Sequence, residues 1–443
     1  MNNIIFSLIG LAGAVFLLVF LTVRWKVPVF LALLAASYLA GISSGSTPDV
    51  LVTQITQGFG NTLGDIGLVI VLGTLLGAIL EGTGATTAIA WGILRLFRER
   101  FPGAALAAIG YVVSIPIYCD SGFVILNSVR EHLSRIHRVS PVFLSTVLGC
   151  ALYATHTLVP PTPGPLAAMT NLQLSGELPR ILGLGLFFSL VALVAGFMWA
   201  KFYAARYLTA VQTKNTLSPA DKPERNDVVT GCFLLSALPV LIPIVLISSV
   251  GWVDDDSVLK YLGHPVNALL IGLLCCWPLI RRSGLKGQLS PLLTKGLESG
   301  GKIILVVGCG GAFGYVLRDS GMALWLVNQP GVLQWGLFLP FLTAAFIKTA
   351  EGSATVALIT ASVLIDPLLP VLGLDSVNGR LLALFACGGG AMTVAHVNDS
   401  FFWVIAEFTG LDTATALKAL TVATLIQGVA VLAGVQIVSM MIL

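Results

Sequence analysis

The stretch FPGAALAAIGYVVSIPIYCDSGFVILNSV, residues 101–129, follows the basic run Arg95, Arg98, Arg100 and precedes Arg130, Arg135 and Arg138. It is apolar enough to enter a bilayer, yet it carries Pro116, Asp120 and Gly122 past its middle. A single crossing helix would put the two Arg clusters on opposite faces, against the tendency of Lys and Arg to stay cytoplasmic. A re-entrant hairpin that enters and leaves on the cytoplasmic side satisfies both clusters. Its expected tip is Cys119-Asp120-Ser121-Gly122, as non-helical backbone that a membrane tolerates only where it lines a cavity or is buried in protein.

The rest of the chain agrees with membrane insertion. Of 443 residues 56 % are hydrophobic and only 10 % charged, against roughly 25 % charged in soluble domains. That balance excludes an ordinary soluble enzyme. Unbroken runs such as Ile4 to Val23 and Ile181 to Ala200 contradict a β-barrel, whose strands alternate over about 10 residues, so the expected class is an all-α polytopic membrane protein. The net charge of +3 sits in short clusters between apolar runs, which reads as orientation in the bilayer, with no nucleic-acid partner. The seven cysteines show no metal-type spacing, and no metal site or cofactor is expected. Arg24 and Lys26 follow the first apolar run, which predicts a retained first span and a periplasmic N-terminus.

Spans are expected at about 4–22, 27–43 and 62–82, then the hairpin at about 103–129, a broken helix at about 141–170 and a span at 181–200. A cytoplasmic linker (201–227) separates this N-terminal repeat (1–200) from a C-terminal one (228–443). The second half carries spans near 228–249, 265–280 and 301–318, a hairpin at about 335–365 that enters from outside, a broken helix at about 381–404 and a final span at 415–440. The C-terminus is then periplasmic too. This assignment places 19 of the 24 Lys and Arg on the cytoplasmic side, Lys302 among them, and four outside (Arg180, Lys260, Arg318, Arg380), leaving Lys348 in the membrane.

The two halves resemble each other weakly. Thr56-Gln57-Gly58 and Gly77-Ala78-Ile79-Leu80-Glu81-Gly82-Thr83-Gly84 match Thr294-Lys295-Gly296 and Gly314-Tyr315-Val316-Leu317-Arg318-Asp319-Ser320-Gly321. In the same order Asp120-Ser121-Gly122 matches Glu351-Gly352-Ser353, and Ala154-Thr155-His156 matches Val394-Ala395-His396. With one hairpin facing inward and one outward, this is an inverted repeat. Transporters built that way hold solute near the midplane between discontinuous helices, whose N-terminal N–H groups and dipoles favour anions.

Four interrupted segments are therefore the candidate site. Pro160, Pro161, Pro163 and Pro165 cannot continue a helix, since each lacks an N–H and clashes with the preceding turn. The expected substrate-binding residues are Ser121, Gly122, Thr155, His156, Thr157, Thr162, Gly164, Gly352, Ser353, Thr355, His396, Asn398 and Ser400. The N–H groups of Gly122, Gly352 and Ser353 are assigned to a carboxylate. Ionisable groups inside a membrane are costly and point to function, so Asp120, Glu351 and Asp399 are expected to couple protons, with Lys348 as a charge partner. Plainer roles stand beside these: Asp120 and Asp399 capping the breaks, Lys348 pairing with Glu351 or reaching toward the surface, the histidines bracing helices, and the small residues serving close packing.

Enzyme motifs do not hold up. Gly41-Ile42-Ser43-Ser44-Gly45 lacks the strand-turn-helix setting of a nucleophile elbow, and there is no zincin or P-loop signature, so transport would draw on an ion gradient. At Ile115-Pro116-Ile117-Tyr118-Cys119-Asp120-Ser121-Gly122-Phe123-Val124, at Thr155-His156-Thr157 with Pro160-Pro161-Thr162-Pro163-Gly164-Pro165, at Glu351-Gly352-Ser353-Ala354-Thr355-Val356 and at His396-Val397-Asn398-Asp399-Ser400-Phe401-Phe402-Trp403 the sequence resembles the gluconate permease family of the ion transporter superfamily. That resemblance implies proton-coupled import of gluconate or a related sugar acid across a bacterial inner membrane. It also implies a homodimer of elevator type, in which a domain carrying both hairpins moves against a scaffold. Many family members hold Gln and Arg where this chain has Glu351 and Lys348. D-serine or glycerate transport, a sodium-coupled carboxylate carrier and a passive anion channel remain open at this level.

Overall fold

The computed structural model describes residues 2–97, 101–203, 233–250, 257–284, 289–319, 335–397 and 399–443. Most of the expected linker and Asn398 lie outside the described residues. Among those described, every regular element is helical: α1 (Asn2–Arg24), α2 (Val29–Ser43), α3 (Pro48–Gly82), α4 (Ala85–Leu96), α5 (Pro102–Val113), α6 (Cys119–His137), α7 (Pro141–Leu158), α8 (Pro163–Asn171), α9 (Leu178–Tyr203), α10 (Phe233–Ser249), α11 (Val258–Leu262), α12 (Pro265–Cys275), α13 (Trp277–Arg282), α14 (Leu289–Asp319), α15 (Phe338–Glu351), α16 (Ala354–Ile365), α17 (Val377–Ala391), α18 (Ser400–Thr409), α19 (Thr413–Ala416) and α20 (Val422–Ile442). Among the described residues six helical stretches are long and apolar enough to cross a membrane, including α3, α9, α14 and the interrupted Pro141–Asn171.

Proline sets several of the starts. Pro48, Pro102, Pro141, Pro163 and Pro265 each occupy the first turn of a helix, where a missing N–H costs nothing and a fixed φ is already helical. The spans expected at 62–82 and 301–318 begin earlier, because Gln54, Gln57 and Lys295 lower local hydropathy without breaking the helix. At 35 and 31 residues, α3 and α14 reach about 50 Å at 1.5 Å per residue.

These two helices pack antiparallel through small residues. Gly58 faces Gly311 and Ala312, Gly308 faces Phe59, Gly296 faces Leu75, and Gly82 faces Leu292, so numbers fall along one helix as they rise along the other. The last spans of the two halves are antiparallel as well: Gly434 lies on Phe188, Gly196 on Gln427, and Trp199 Nε1 donates to Ala419 O.

Between the long helices lie four helix-break-helix units. In the first, α5 runs parallel to α7, with Gly103 on Phe143 and Gly110 on Leu148 and Ala151. The return limb α6 runs the other way, with Gly122 on Leu152 and Arg130 bonded to Ser145. The start of α5 and the end of α6 therefore lie at one end of the bundle. The limb is longer than expected. It continues past 129 to His137, and Arg130, assigned to a loop, is only 3 % exposed and donates to Phe408 O at 3.2 Å. The expected tip also shifts: residues 119–122 open α6, and the non-helical backbone is 114–118.

Each return limb lies alongside the far segment of the other half's broken helix. Along α6 and α18, Asp120 meets Ser400, Phe123 meets Phe401, and Arg130 meets Phe408. Along α16 and α8, Thr355 and Leu358 meet Gly164, while Asn171 Nδ2 donates to Ile359 O and Ser362 Oγ. Both pairs are parallel.

The α3–α14 contact gives a packing test. A Cβ on Gly58 would come within 2.7 Å of Gly311 O and 2.8 Å of Ala312 Cα, whereas one on Gly60 meets nothing within 4 Å. Gly58→Ala is expected to destabilise the purified protein by about 1–3 kcal/mol through overpacking. Gly60→Ala is expected to be neutral or slightly stabilising, as Ala is the better helix former; thermal unfolding in detergent compares the two.

Candidate functional site

Three of the four breaks, with the α7 segment just ahead of the fourth, surround one cavity of about 490 Å³, a size suited to a small solute. Tyr118, Cys119 and Asp120 come from the first hairpin, Tyr153 and His156 from α7, and Glu351 through Val356 from the second hairpin. Asp399, Ser400 and Phe401 come from the second broken helix, and Lys302, Ile303 and Val306 from α14.

Local sequence explains how each break is held. In the first hairpin Pro116 interrupts the helix, and Ser114 Oγ donates to Leu152 O at 2.7 Å, fastening the break to α7. In the second, Gly352 has φ +88°, a left-handed conformation that glycine adopts without a Cβ clash. Ser353 then caps α16, accepting from Val356 N. In the last, Asp399 caps α18 by accepting from Phe401 N at 2.8 Å. The starts of α6 and α16 both border the cavity, so their first-turn N–H groups and positive dipole ends favour an anion there.

Two of the glycine N–H groups assigned to a carboxylate are already engaged. Gly122 N donates to Tyr118 O and Gly352 N to Lys348 O, both at 2.8 Å. The groups that no intrahelical carbonyl reaches belong instead to the first turns, at Cys119, Asp120 and Ser121 of α6 and at Ala354 and Thr355 of α16.

The charges are arranged unevenly. Lys348 is fully buried and pairs with Asp399, not with Glu351: its Nζ donates to Asp399 Oδ2 at 2.6 Å and to Gly352 O at 2.7 Å. Tyr153 OH donates to the same carboxylate oxygen at 3.4 Å. With a cap, a lysine and a tyrosine, Asp399 is saturated and serves as a brace. Asp120 is looser, accepting from Ser400 Oγ at 3.4 Å. Glu351 Oε1 is buried without a hydrogen-bond partner among the described residues. Lys302, which the charge count placed in a cytoplasmic loop, lies on the cavity wall. Once Lys348 and Asp399 cancel, Asp120 and Glu351 outweigh Lys302 by one negative charge when all are ionised.

His156 is buried, with Nε2 3.5 Å from Thr355 Oγ1 and its ring 5.5 Å from that of Tyr118; its Nδ1, Tyr118 OH and Thr157 Oγ1 are buried without partners among the described residues. Other expected residues fall outside the cavity wall. Thr155 bonds back to Ala151 O, Thr162 donates to Val159 O behind His156, and Gly164 packs on Leu358. His396 contacts Thr349 O at 3.0 Å away from the cavity, so the paired histidines are not equivalent in place. Ser121 and Gly122 border the site only through the first turn of α6. Sequence reasoning missed Tyr118, Tyr153, Lys302 and Phe401. Tyr118 and Phe401 lie in segments quoted above and were passed over for lack of charge. Among the described residues no group of three His, Cys, Asp or Glu could hold a metal.

The model of the GntP family permeases matches residues 6–441. The chain belongs to the GntP permease family. It is a multi-pass membrane transporter, not an enzyme. Over 433 residues it is 31 % identical to the low-affinity gluconate transporter of Escherichia coli K12, covering 94 % of each chain. Over 457 residues it is 30 % identical to the D-serine transporter DsdX of Escherichia coli O6:H1, covering 100 % of each. Among solved structures, the Alcanivorax borkumensis YdaH transporter shares the fold of this GntP permease, with a TM-score of 0.63 over 90 % of both chains at 17 % identity.

The buried pair of this permease is open to test. Lys348→Met alone leaves Asp399 unpaired in the interior and is expected to destabilise by about 3–5 kcal/mol. Combining it with Asp399→Asn is expected to recover part of that loss, read as coupling in a double-mutant cycle of detergent unfolding.

Proposed function

We propose that this permease is an elevator-type symporter of the bacterial inner membrane, importing a small hydroxy-monocarboxylate, gluconate or a related sugar acid, together with a proton. The observation that carries the reading is one cavity bordered by three helix breaks and by α7 just ahead of the fourth, with two helix N-termini at its edge. In that cavity the first-turn N–H groups hold the carboxylate, and Ser353, Thr355 and Ser400 with the neighbouring Ser121 face its hydroxyls. Gluconate is favoured by likeness to the gluconate transporter of E. coli.

Proton coupling follows from the charge balance. A cavity that already carries excess negative charge accepts an anion only when one carboxylate is neutralised. Glu351 is the group assigned to take the proton, because no partner holds its Oε1 charged. Asp120 is the secondary candidate, and Asp399 is withdrawn from that role by Lys348.

The inverted repeat is supported by the antiparallel α3–α14 and α9–α20 pairs and by the reciprocal α6–α18 and α16–α8 contacts. It also gains from a second cavity, of about 240 Å³, lined by Asp65, Ile66 and Val69. In the register set by Gly77 and Gly314 these are the counterparts of Lys302, Ile303 and Val306. Two chambers built from matched faces of the long helices suit alternating access.

A second reading, transport of a zwitterion such as D-serine, is favoured by the two carboxylates Asp120 and Glu351, which would face an ammonium group, and by likeness to the D-serine transporter DsdX. Proteoliposomes under an imposed inward proton gradient decide. Gluconate is expected to accumulate, to collapse with a protonophore and to persist when Na⁺ is replaced by choline; accumulation of D-serine alone favours the second reading. Glu351→Gln is expected to cut gradient-driven accumulation about tenfold or more while exchange of labelled for unlabelled substrate stays within about threefold, since only the coupled step is lost. No accumulation of gluconate, glycerate or D-serine by the wild type would overturn the symporter reading.

A further inference from the structure

We propose that Lys302, on α14, is the residue that receives the substrate carboxylate and makes the permease selective for acids. The inference rests on the carboxylate-transport reading above and goes beyond it by naming the countercharge.

A desolvated carboxylate needs a cation or several donors, and the cavity offers few. Lys348 is unavailable, because Asp399 and Gly352 O occupy its ammonium group at 2.6 and 2.7 Å and its side chain has no exposed surface. Lys302 is on the cavity wall, which Lys348 is not; it is exposed, and among the described residues no acidic side chain pairs with it. On the same helix Lys295 is held by Glu81 at 2.8 Å. Lys302 is left free for a ligand.

Its depth matches the hairpin tip. Gly314 packs on Val363 and Gly310 on Ile359, so α14 and α16 run side by side with a constant offset. Stepping back one turn brings Val306 level with Thr355, in the first turn of α16, and Lys302 lies one turn further along α14, beyond the start of α16. Ile303, Val306 and Ile359 complete this wall. The lysine thus borders the cavity just beyond the N-terminus of α16, where a seated carboxylate can meet first-turn N–H groups and the ammonium together. The matched residue on α3 is Asp65, so the second chamber presents an opposite charge at this position.

The test uses full-length protein in proteoliposomes, with gluconate and its uncharged amide, gluconamide, as probes. Lys302→Gln is expected to raise KM for gluconate about tenfold or more with Vmax changed less than about threefold, and to erase the preference for gluconate over gluconamide, as loss of a charge-assisted contact would. Lys302→Arg, which keeps the charge, is expected to restore most of both. Thermal unfolding checks that each variant is folded, and a misfolded Lys302→Gln leaves the decision to Lys302→Arg and Lys302→Met. A KM within about twofold of wild type, or a raised KM with the acid-over-amide preference intact, would overturn the assignment while wild-type uptake stands. Wild-type protein that accumulates no carboxylate would overturn both readings, which keeps the two failures distinct.

Discussion

A helix interrupted inside a bilayer leaves peptide groups that lipid cannot satisfy, and this permease has four such interruptions. The structure resolves the constraint by gathering them. Ser114 ties the first hairpin's break to α7, the Lys348 ammonium holds Gly352 O, and Asp399 caps α18. Ala395 N, in the last break, donates to Thr424 Oγ1 of α20 at 3.0 Å. Local caps satisfy part of each break, and Ser114, Lys348 and Ala395 tie three of them to distant segments, which draws polar groups around a shared cavity.

The same constraint sorts the charges into fixed and responsive groups. Lys348 and Asp399 pair with each other and hold the second hairpin against the second broken helix. Asp120, Glu351 and Lys302 border the cavity instead, with weak or no internal partners, and their balance changes with what enters. A solute cavity needs both kinds: braces that hold its walls, and groups whose charge is left for what enters.

Much of this was legible in the sequence because the signals are local. Pro116, the run Pro160 to Pro165 and Gly352-Ser353 stop helices wherever they occur, and Arg clusters on both sides of one apolar stretch force a return. What was not legible is tertiary. Lys348 finds Asp399 51 positions away, although Glu351 is three positions off and looks the natural partner. Arg130 appeared as a loop charge because its acceptor, Phe408 O, lies in the other half. Lys302 was hidden by its place at the edge of the expected span 301–318, where it counted as a cytoplasmic charge until α14, which begins at Leu289, is seen passing the start of α16. The weak resemblance of the two halves suggested equivalent histidines, yet His156 borders the cavity and His396 faces Thr349 O, because the two positions sit among different neighbours.

Cryo-electron microscopy of the full-length permease with gluconate bound is the most direct test that the joined breaks form the transport site. The solute is expected in the 490 Å³ cavity, with its carboxylate within hydrogen-bond distance of the first turn of α6 or α16. Gluconate seated elsewhere, with the first turns of both helices left empty, would contradict it.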